Sequence, residues 1–243
     1  MRNKVLIYVS RLINDRSTPT GHLYVALVAE YQARYVSGTS EFPTTAGNNA
    51  VSDCHSIIHH LTELITTTTP VGTSSAQHTH VAVAVDGLVL GCVYDEVFED
   101  LRRTAMGKDR EMRNRICEFK TMHGGRFEEL GISESAVHAY TMMCSSRTAV
   151  DKLEWAVRMM ESVSDGFGDA DSLLKAVVVH VVHIAPGDLF AQVLFCEEFI
   201  RDASASMGKL GYSLITLQAA AHFIADADCQ KLESNLFEAK SND

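Results

Sequence analysis

The chain has 243 residues, of which 46% are hydrophobic and only four are proline, so it can bury a substantial core and is not disordered as a whole. Its formal net charge of −10 repels phosphate backbones and offers no polybasic surface to anionic lipid, which argues against nucleic acid as the main partner. This charge serves either solubility or the steering of a partner. No apolar run approaches the roughly 20 residues that span a bilayer, and the run at residues 5–9 is too short for a signal peptide.

The first third of the chain predicts a small N-terminal helical bundle. Helices are predicted at 2–14, 21–36 and 53–65, with Ser52 or Asp53 as the N-cap of the third and a loop at 37–52. Residues 66–80, TTTTPVGTSSAQHTH, predict either a flexible connection or an ordered surface loop. We therefore place the bundle at 1–66, a linker at 67–81 and a second domain at 82–243.

The rest of the chain predicts a layered helical domain, so the fold class is all-α. Residues 171–185, DSLLKAVVVHVVHIA, are apolar nearly all round, which is typical of a central buried helix. The valine run there is also compatible with a strand, but the length and the acidic start favour a helix. The other helices are predicted at 82–105, 109–122, 133–145, 148–164, 188–201, 213–226 and 228–239.

No motif of a covalent catalyst is present. The chain has no Walker-type loop, GxGxxG or GxSxG, and its six cysteines include no CxxC pair, as expected of reduced thiols in a cytoplasmic protein. His55 and His59 are four apart on one predicted helix face, but zinc needs further ligands. We expect no cofactor and no resident metal. His180 and His183 are predicted to be hydrogen-bonded core residues. Such a chain is more often a binding module than an enzyme.

Asp171 and Tyr212 are the candidate functional residues. Asp171 opens the apolar helix, and either it caps free N–H groups, a task Asp169 could also perform, or it is an exposed acid at the rim of a helical groove. Tyr212, in GKLGYSLITLQAA, precedes another amphipathic helix, and its residue type alone favours a core aromatic whose hydroxyl finds a partner over a functional role.

Three blocks in this order resemble the vacuolar-protein-sorting-nine (Vps-nine) domain family. They are TAVDKLEWAVRMMESV, DADSLLKAVVVHVV and FIRD followed by MGKLGYSLITLQAAAHFI, and an upstream piece, YDEVFEDL…DREMRNRI…FEELGI, is similar to the family's first helices. The resemblance covers roughly 82–226. Residues 1–66 are consistent with the helical bundle that often precedes this domain.

The resemblance implies a guanine-nucleotide exchange factor that promotes GDP release from an early-endosomal Rab GTPase of the Rab-five subfamily, without covalent chemistry. It implies that Asp171 reaches into the GTPase's nucleotide site, pairs with the phosphate-loop lysine and opposes the β-phosphate and magnesium. Tyr212 would pack against the opened switch region beside a groove. Residues assigned to that groove are Ser172, Lys175, Lys209, Ile215 and Thr216, and some of Leu173, Leu174, Leu214 and Leu217 are expected to help build it. The protein would be cytoplasmic, act in endocytosis and vesicle-mediated transport, and reach early endosomes only indirectly.

The chain departs from the family pattern at several of these positions. Lys175 replaces a proline, Lys209 replaces a glutamate, Ile215 replaces a threonine and Ser172 replaces an acid. These changes could alter the GTPase that is bound or weaken exchange. The alternative function is therefore a non-catalytic Rab-binding scaffold on the same fold, and an unrelated helical metalloprotein using residues 53–65 is the third. The particular Rab, the role of residues 1–66, the oligomeric state and the route to the membrane stay open.

Overall fold

The computed structural model describes residues 2–35, 49–69, 74–123, 131–163, 169–200 and 208–227. All regular structure within these ranges is helical, which confirms the predicted all-α class. The helices are α1 (Arg2–Asn14), α2 (Pro19–Tyr35), α3 (Ala50–Thr68), α4 (Ser75–His123), α5 (Glu134–Ser145), α6 (Ala149–Val163), α7 (Ala170–Ile184), α8 (Leu189–Phe199) and α9 (Lys209–Asp226).

The chain divides into two compact units, Met1–Leu101 and Arg102–Asp243. In the first unit, α1 packs on α2 and α2 packs on α3. Val5, Val9 and Ile13 form the buried stripe of α1, at the spacing expected for one helix face. Tyr31 of α2 is also buried, and its hydroxyl donates to the Ala50 carbonyl at 3.1 Å.

The start of α3 differs from the prediction. The helix begins at Ala50, and its N-cap is Asn49, whose side chain accepts a hydrogen bond from the Ser52 N–H at 2.8 Å. Neither Ser52 nor Asp53 is the cap. Asp53 instead pairs with Arg34 of α2 and accepts a hydrogen bond from Tyr35 at 2.8 Å. Most of the predicted loop at 37–52 lies outside the described residues.

The predicted loop character of residues 66–80 is wrong at both ends. Helix α3 continues to Thr68, and the hydroxyls of its last threonines donate to the carbonyls one turn earlier rather than to turn or loop partners. Helix α4 already begins at Ser75, so His78 and His80 are helical. Only residues 70–73 of this segment are not described. The division into domains at 67–81 stays a prediction.

Helix α4 replaces the two helices predicted at 82–105 and 109–122. Residues 106–108 are helical, and Gly107 does not break the helix. A glycine in a helix costs only about 1 kcal/mol, which burial on either side offsets. The buried stripe continues across the glycine with Ala105, Asp109, Met112 and Ile116.

In the second unit, α6 packs against α5, α7, α8 and α9. Helix α7 is buried along Val177, Val178, Val181 and Val182 but exposed at its start, so its predicted burial holds for the middle and not for the first turn. The helix predicted at 228–239 lies outside the described residues.

The two histidines of α7 differ in environment. His180 is buried, its Nδ1 lies 2.7 Å from the Ala176 carbonyl, and its Nε2 accepts the Ser133 N–H at 3.0 Å. Burial lowers the pKa of His180. His183 is exposed, so its predicted burial is wrong. It lies one turn closer to the end of the helix, beyond the buried stripe.

Candidate functional site

The first turn of α7 carries two aspartates with different roles. Asp169 is the N-cap, and its carboxylate accepts the Ser172 N–H at 2.8 Å and the Ser172 hydroxyl at 2.9 Å. These bonds, with a contribution from Lys175, hold the pKa of Asp169 below its usual value. Asp171 is exposed, and within the described part of the chain its carboxylate has no hydrogen-bond or ion-pair partner. Asp169, and not Asp171, is therefore the N-cap of α7.

The first two turns of α9 carry an exposed apolar pair. The helix begins at Lys209, so Tyr212 lies inside it rather than just before it. Tyr212 is 48% exposed and Ile215 is 62% exposed, one turn apart on the same face. Large apolar side chains left this exposed are informative when they lie together beside a cavity.

A shallow cleft joins these two helix starts to the end of α6. It has a volume of about 170 Å³ and is lined by Val157, Met160, Glu161, Leu173, Lys209, Tyr212 and Ser213. Leu173 lies two residues after Asp171, so the free carboxylate and the Tyr212 ring belong to helix starts that share one cleft. We refer to this arrangement as the α6–α7–α9 cleft.

An ion pair lies in the lining of the cleft. The Lys209 ammonium lies 2.9 Å from the Glu161 carboxylate, and this contact raises the pKa of Lys209. Both side chains are largely exposed, so the pair contributes little to stability. Its effect is positional, because it directs the Lys209 ammonium towards α6. Sequence reasoning identified Lys209 but not Glu161, since the two lie 48 residues apart.

The other predicted site residues are divided between surface and interior. Lys175 is exposed one turn after Asp171, whereas Ser172 is half-buried and hydrogen-bonded to the cap. Thr216 is 7% exposed, and its hydroxyl donates to the Tyr212 carbonyl at 2.8 Å. Thr216 therefore lies on the inner face of α9, not on its outer one.

Among the four leucines expected near the groove, only one lines the cleft. Leu173 is half-buried and lines the cleft together with Tyr212. Leu174 is also half-buried, whereas Leu214 and Leu217 belong to the core.

A buried lysine supports the helices behind the cleft. Lys152 of α6 is fully buried and donates to the Met143 carbonyl at 3.1 Å and to the Gln192 amide oxygen at 2.7 Å. It thereby links the end of α5 to α8. Burial lowers the pKa of Lys152 to about 8. The lysine was part of the recognised KL block, but its partners in α5 and α8 were not foreseeable from local pattern.

The lining of the α6–α7–α9 cleft combines the exposed Tyr212 ring with the Lys209–Glu161 ion pair, and the exposed Asp171 belongs to the same helix start as Leu173. Among the residues that the structure describes, no cluster of three or more histidine, cysteine, aspartate or glutamate side chains has the arrangement of a metal site. No helix in the described ranges is long and apolar enough to cross a membrane.

Residues 133–229 match the family model of the vacuolar sorting protein 9 (VPS9) domain. This match confirms the family that the sequence blocks resemble, and it includes α5 to α9 and the whole cleft. The upstream piece at 94–132 falls before the matched range. None of the curated proteins compared with the chain matches it. A VPS9 domain implies guanine-nucleotide exchange on a small Rab GTPase, performed by binding and not by covalent catalysis.

Proposed function

We propose that this chain, whose residues 133–229 form the VPS9 domain, opens a Rab GTPase of the Rab-five subfamily by inserting Asp171 into its nucleotide site. The observation that carries the proposal is that the two aspartates at the start of α7 differ: one is the N-cap and the other is exposed. Asp169 satisfies the helix start, so Asp171 is exposed and has no partner among the described residues.

Asp171 acts by competing for a cation-rich phosphate cradle. The phosphate-loop lysine and the magnesium ion of a GTPase both hold the β-phosphate of GDP. A carboxylate placed there pairs with the lysine and repels the phosphate, which loosens both the nucleotide and its metal. The helix dipole favours a negative charge at this position, because the N-terminal end of a helix carries a partial positive charge.

The exposed face of α9 provides the docking energy. Tyr212 and Ile215 offer apolar surface that a partner's switch region can cover, and Leu173 lines the cleft together with Tyr212. Thr216 supports this face from below, through its hydrogen bond to the Tyr212 carbonyl.

Exposed lysines in the first two turns of α7 and α9 contribute to the choice of partner. Lys175 and Lys209 are both exposed, and Ser172 is engaged with the cap. A GTPase surface with acidic residues opposite these lysines would be preferred, since opposite charges across an interface favour encounter and like charges disfavour it. The Glu161 partner fixes the direction of the Lys209 charge.

Exchange then follows from linkage between two ligands of one GTPase. If the VPS9 domain binds the nucleotide-free GTPase more tightly than the loaded one, the affinity for nucleotide falls by the same factor. Each tenfold loss of nucleotide affinity requires about 1.4 kcal/mol of differential contact. An interaction that Asp171 makes only in the nucleotide-free complex contributes to exchange in this way.

The test is the release of a fluorescent GDP analogue from a panel of Rab GTPases. Asp171→Ala is expected to slow the release from a Rab-five subfamily member by about ten- to a hundredfold, the equivalent of one charged hydrogen bond. The thermal unfolding of the variant should move little, because Asp169 remains the cap.

The matched control is Asp169→Asn, which removes the same charge two residues away and retains a good N-cap. It is expected to keep exchange close to that of the wild type. Equal exchange by wild type and Asp171→Ala would refute the role of Asp171. Binding without any acceleration on every Rab would instead establish the scaffold function. If the protein accelerates nucleotide release only from Rabs outside the Rab-five subfamily, the proposed partner is wrong, and so is the early endosome as the site of action.

A further inference from the structure

The outward face of α1 has an unusual composition for a surface helix. Three consecutive apolar side chains are exposed, namely Leu6 at 47%, Ile7 at 52% and Tyr8 at 37%. Ile7 lies on the side of the helix opposite the buried stripe, and Leu6 and Tyr8 flank it. The fold does not require these side chains, because Val5, Val9 and Ile13 already anchor α1 to the first unit.

The charge of this face is opposite to that of the whole chain. Lys4 and Arg11 are exposed and lie about one turn before and after Ile7. Residues 1–29 contain four basic side chains and one acidic side chain, whereas the chain as a whole has a formal charge of −10. The acidic exception is Asp15, whose carboxylate accepts hydrogen bonds from the Ser17 N–H and hydroxyl at 2.9 and 2.6 Å.

We propose that the outer face of α1, formed by Lys4, Leu6, Ile7, Tyr8 and Arg11, binds the surface of an anionic lipid bilayer. A helix lying in the interface buries apolar side chains at the headgroup boundary, while lysine and arginine meet the lipid phosphates. A tyrosine suits this boundary, since its ring is apolar and its hydroxyl is wet.

Charge complementarity selects the bilayer over another copy of this chain. Two such faces would bring like charges together, whereas an anionic surface pairs with Lys4 and Arg11. The acidic remainder of the chain is repelled by the same surface, so α1 is the element directed towards the lipid. The net charge of −10 does not reveal this face, because it averages over the whole chain.

The test is co-sedimentation of the full chain with vesicles, and it contains no GTPase, so it is independent of the proposed exchange activity. The protein is expected to bind vesicles of phosphatidylcholine mixed with phosphatidylserine, and not vesicles of phosphatidylcholine alone. The double variant Lys4→Gln/Arg11→Gln should bind about 25-fold more weakly, since each basic residue near the surface contributes about fivefold. Ile7→Ser should lose about fivefold, from the exposed half of the side chain.

Matched controls come from α4, where Met106 is 59% exposed and Arg110 is also exposed. Met106→Ser and Arg110→Gln are expected to bind vesicles as the wild type does. Far-ultraviolet circular dichroism of each variant checks that α1 still folds. The proposal is overturned if the wild type does not bind anionic vesicles, or if the α1 variants bind them equally well. A sedimentation coefficient that falls in the α1 variants would also overturn it, by identifying a contact between copies of the chain.

Discussion

Asp109 allows the long-range packing of the second unit to be tested quantitatively. Its carboxylate, only 3% exposed, lies on α4 and accepts the N–H groups of Phe190 and Ala191 at 2.8 and 3.3 Å. These are first-turn groups of α8, whose own N-cap residue, Asp188, makes no side-chain capping bond. Asp109 therefore caps a helix from 81 residues away.

The magnitude follows from the two buried N–H groups. Asp109→Ala leaves both without a partner, and each unsatisfied buried group costs about 1–3 kcal/mol. Burial raises the pKa of Asp109, so removing the charge recovers part of this cost. The expected net loss in the free energy of unfolding is about 2–4 kcal/mol. Asp109→Asn keeps one acceptor oxygen and should lose about 1–2 kcal/mol.

The assay is urea unfolding at neutral pH, followed by the fluorescence of Trp155, the single tryptophan, which lies on α6 of the same unit. A loss of 3 kcal/mol corresponds to a fall of roughly 6–12 °C in the melting temperature of a unit of this size. Glu111→Ala is the control, because it removes an exposed acid from the same helix and should change stability by less than about 0.5 kcal/mol. If Asp109→Ala unfolds like this control, the cross-chain cap does not contribute as reasoned.

Two further predictions concern a buried charge and a close backbone contact. Because burial lowers the pKa of Lys152 from 10.5 to about 8, the unfolded chain binds more protons between these values, and stability from this group rises with pH. The free energy of unfolding of the wild type minus that of Lys152→Met should therefore increase by up to about 3 kcal/mol across this window, and a flat or falling difference in urea titrations would contradict it. Gly21→Ala should destabilise the first unit by about 1–3 kcal/mol, because an added Cβ would lie 2.1 Å from the Asp15 carbonyl oxygen. Gly91 lies in helix α4, and an added Cβ there would meet no atom of a neighbouring side chain or element within 4 Å. Gly91→Ala should therefore stabilise the protein by about 0.5–1 kcal/mol. Similar melting temperatures for the Gly21→Ala and Gly91→Ala variants would refute this reasoning.

Helices that end at clear local signals were predicted almost to the residue. Residues 2–14 form α1 as predicted, and the predicted helices at 133–145 and 148–164 agree with α5 and α6 within a residue. Ser133 caps α5, and Thr148, just before α6, donates to Asp151 at 2.7 Å. Side chains of this kind act on the backbone within one turn, so the local sequence is sufficient to locate the boundary.

The predicted helix boundaries were wrong where burial in the tertiary structure outweighed the local composition. The threonine-rich end of α3 and the start of α4 were predicted as a connection, since their residues favour turns and extended backbone. In the structure, Ile65 and Val81 are fully buried near these helix ends. Burial of this kind favours continuing the helix, and it also holds α4 together across Gly107.

In the candidate site, too, local sequence identified the residues, whereas their surroundings depend on distant parts of the chain. Asp171, Tyr212, Lys209 and Ile215 were identified from the order and spacing of motifs. Their individual states were not, because each depends on what lies beside it. Asp169 takes the cap that the sequence could not assign between two aspartates, and Thr216 faces inwards although it is adjacent to exposed Ile215.

The sequence by itself determined the helical class of this protein, the VPS9 domain at residues 133–229 and the residues proposed to act in exchange, because periodicity, caps and ordered motifs are local properties. Only the tertiary structure decided that Glu161 meets Lys209, that Asp109 caps α8 and that α1 exposes a basic, apolar face. These features depend on which helix surfaces cover one another. Packing joins residues across dozens of positions, and a side chain's hydrogen-bond partner or exposure is fixed only when its neighbours are in place.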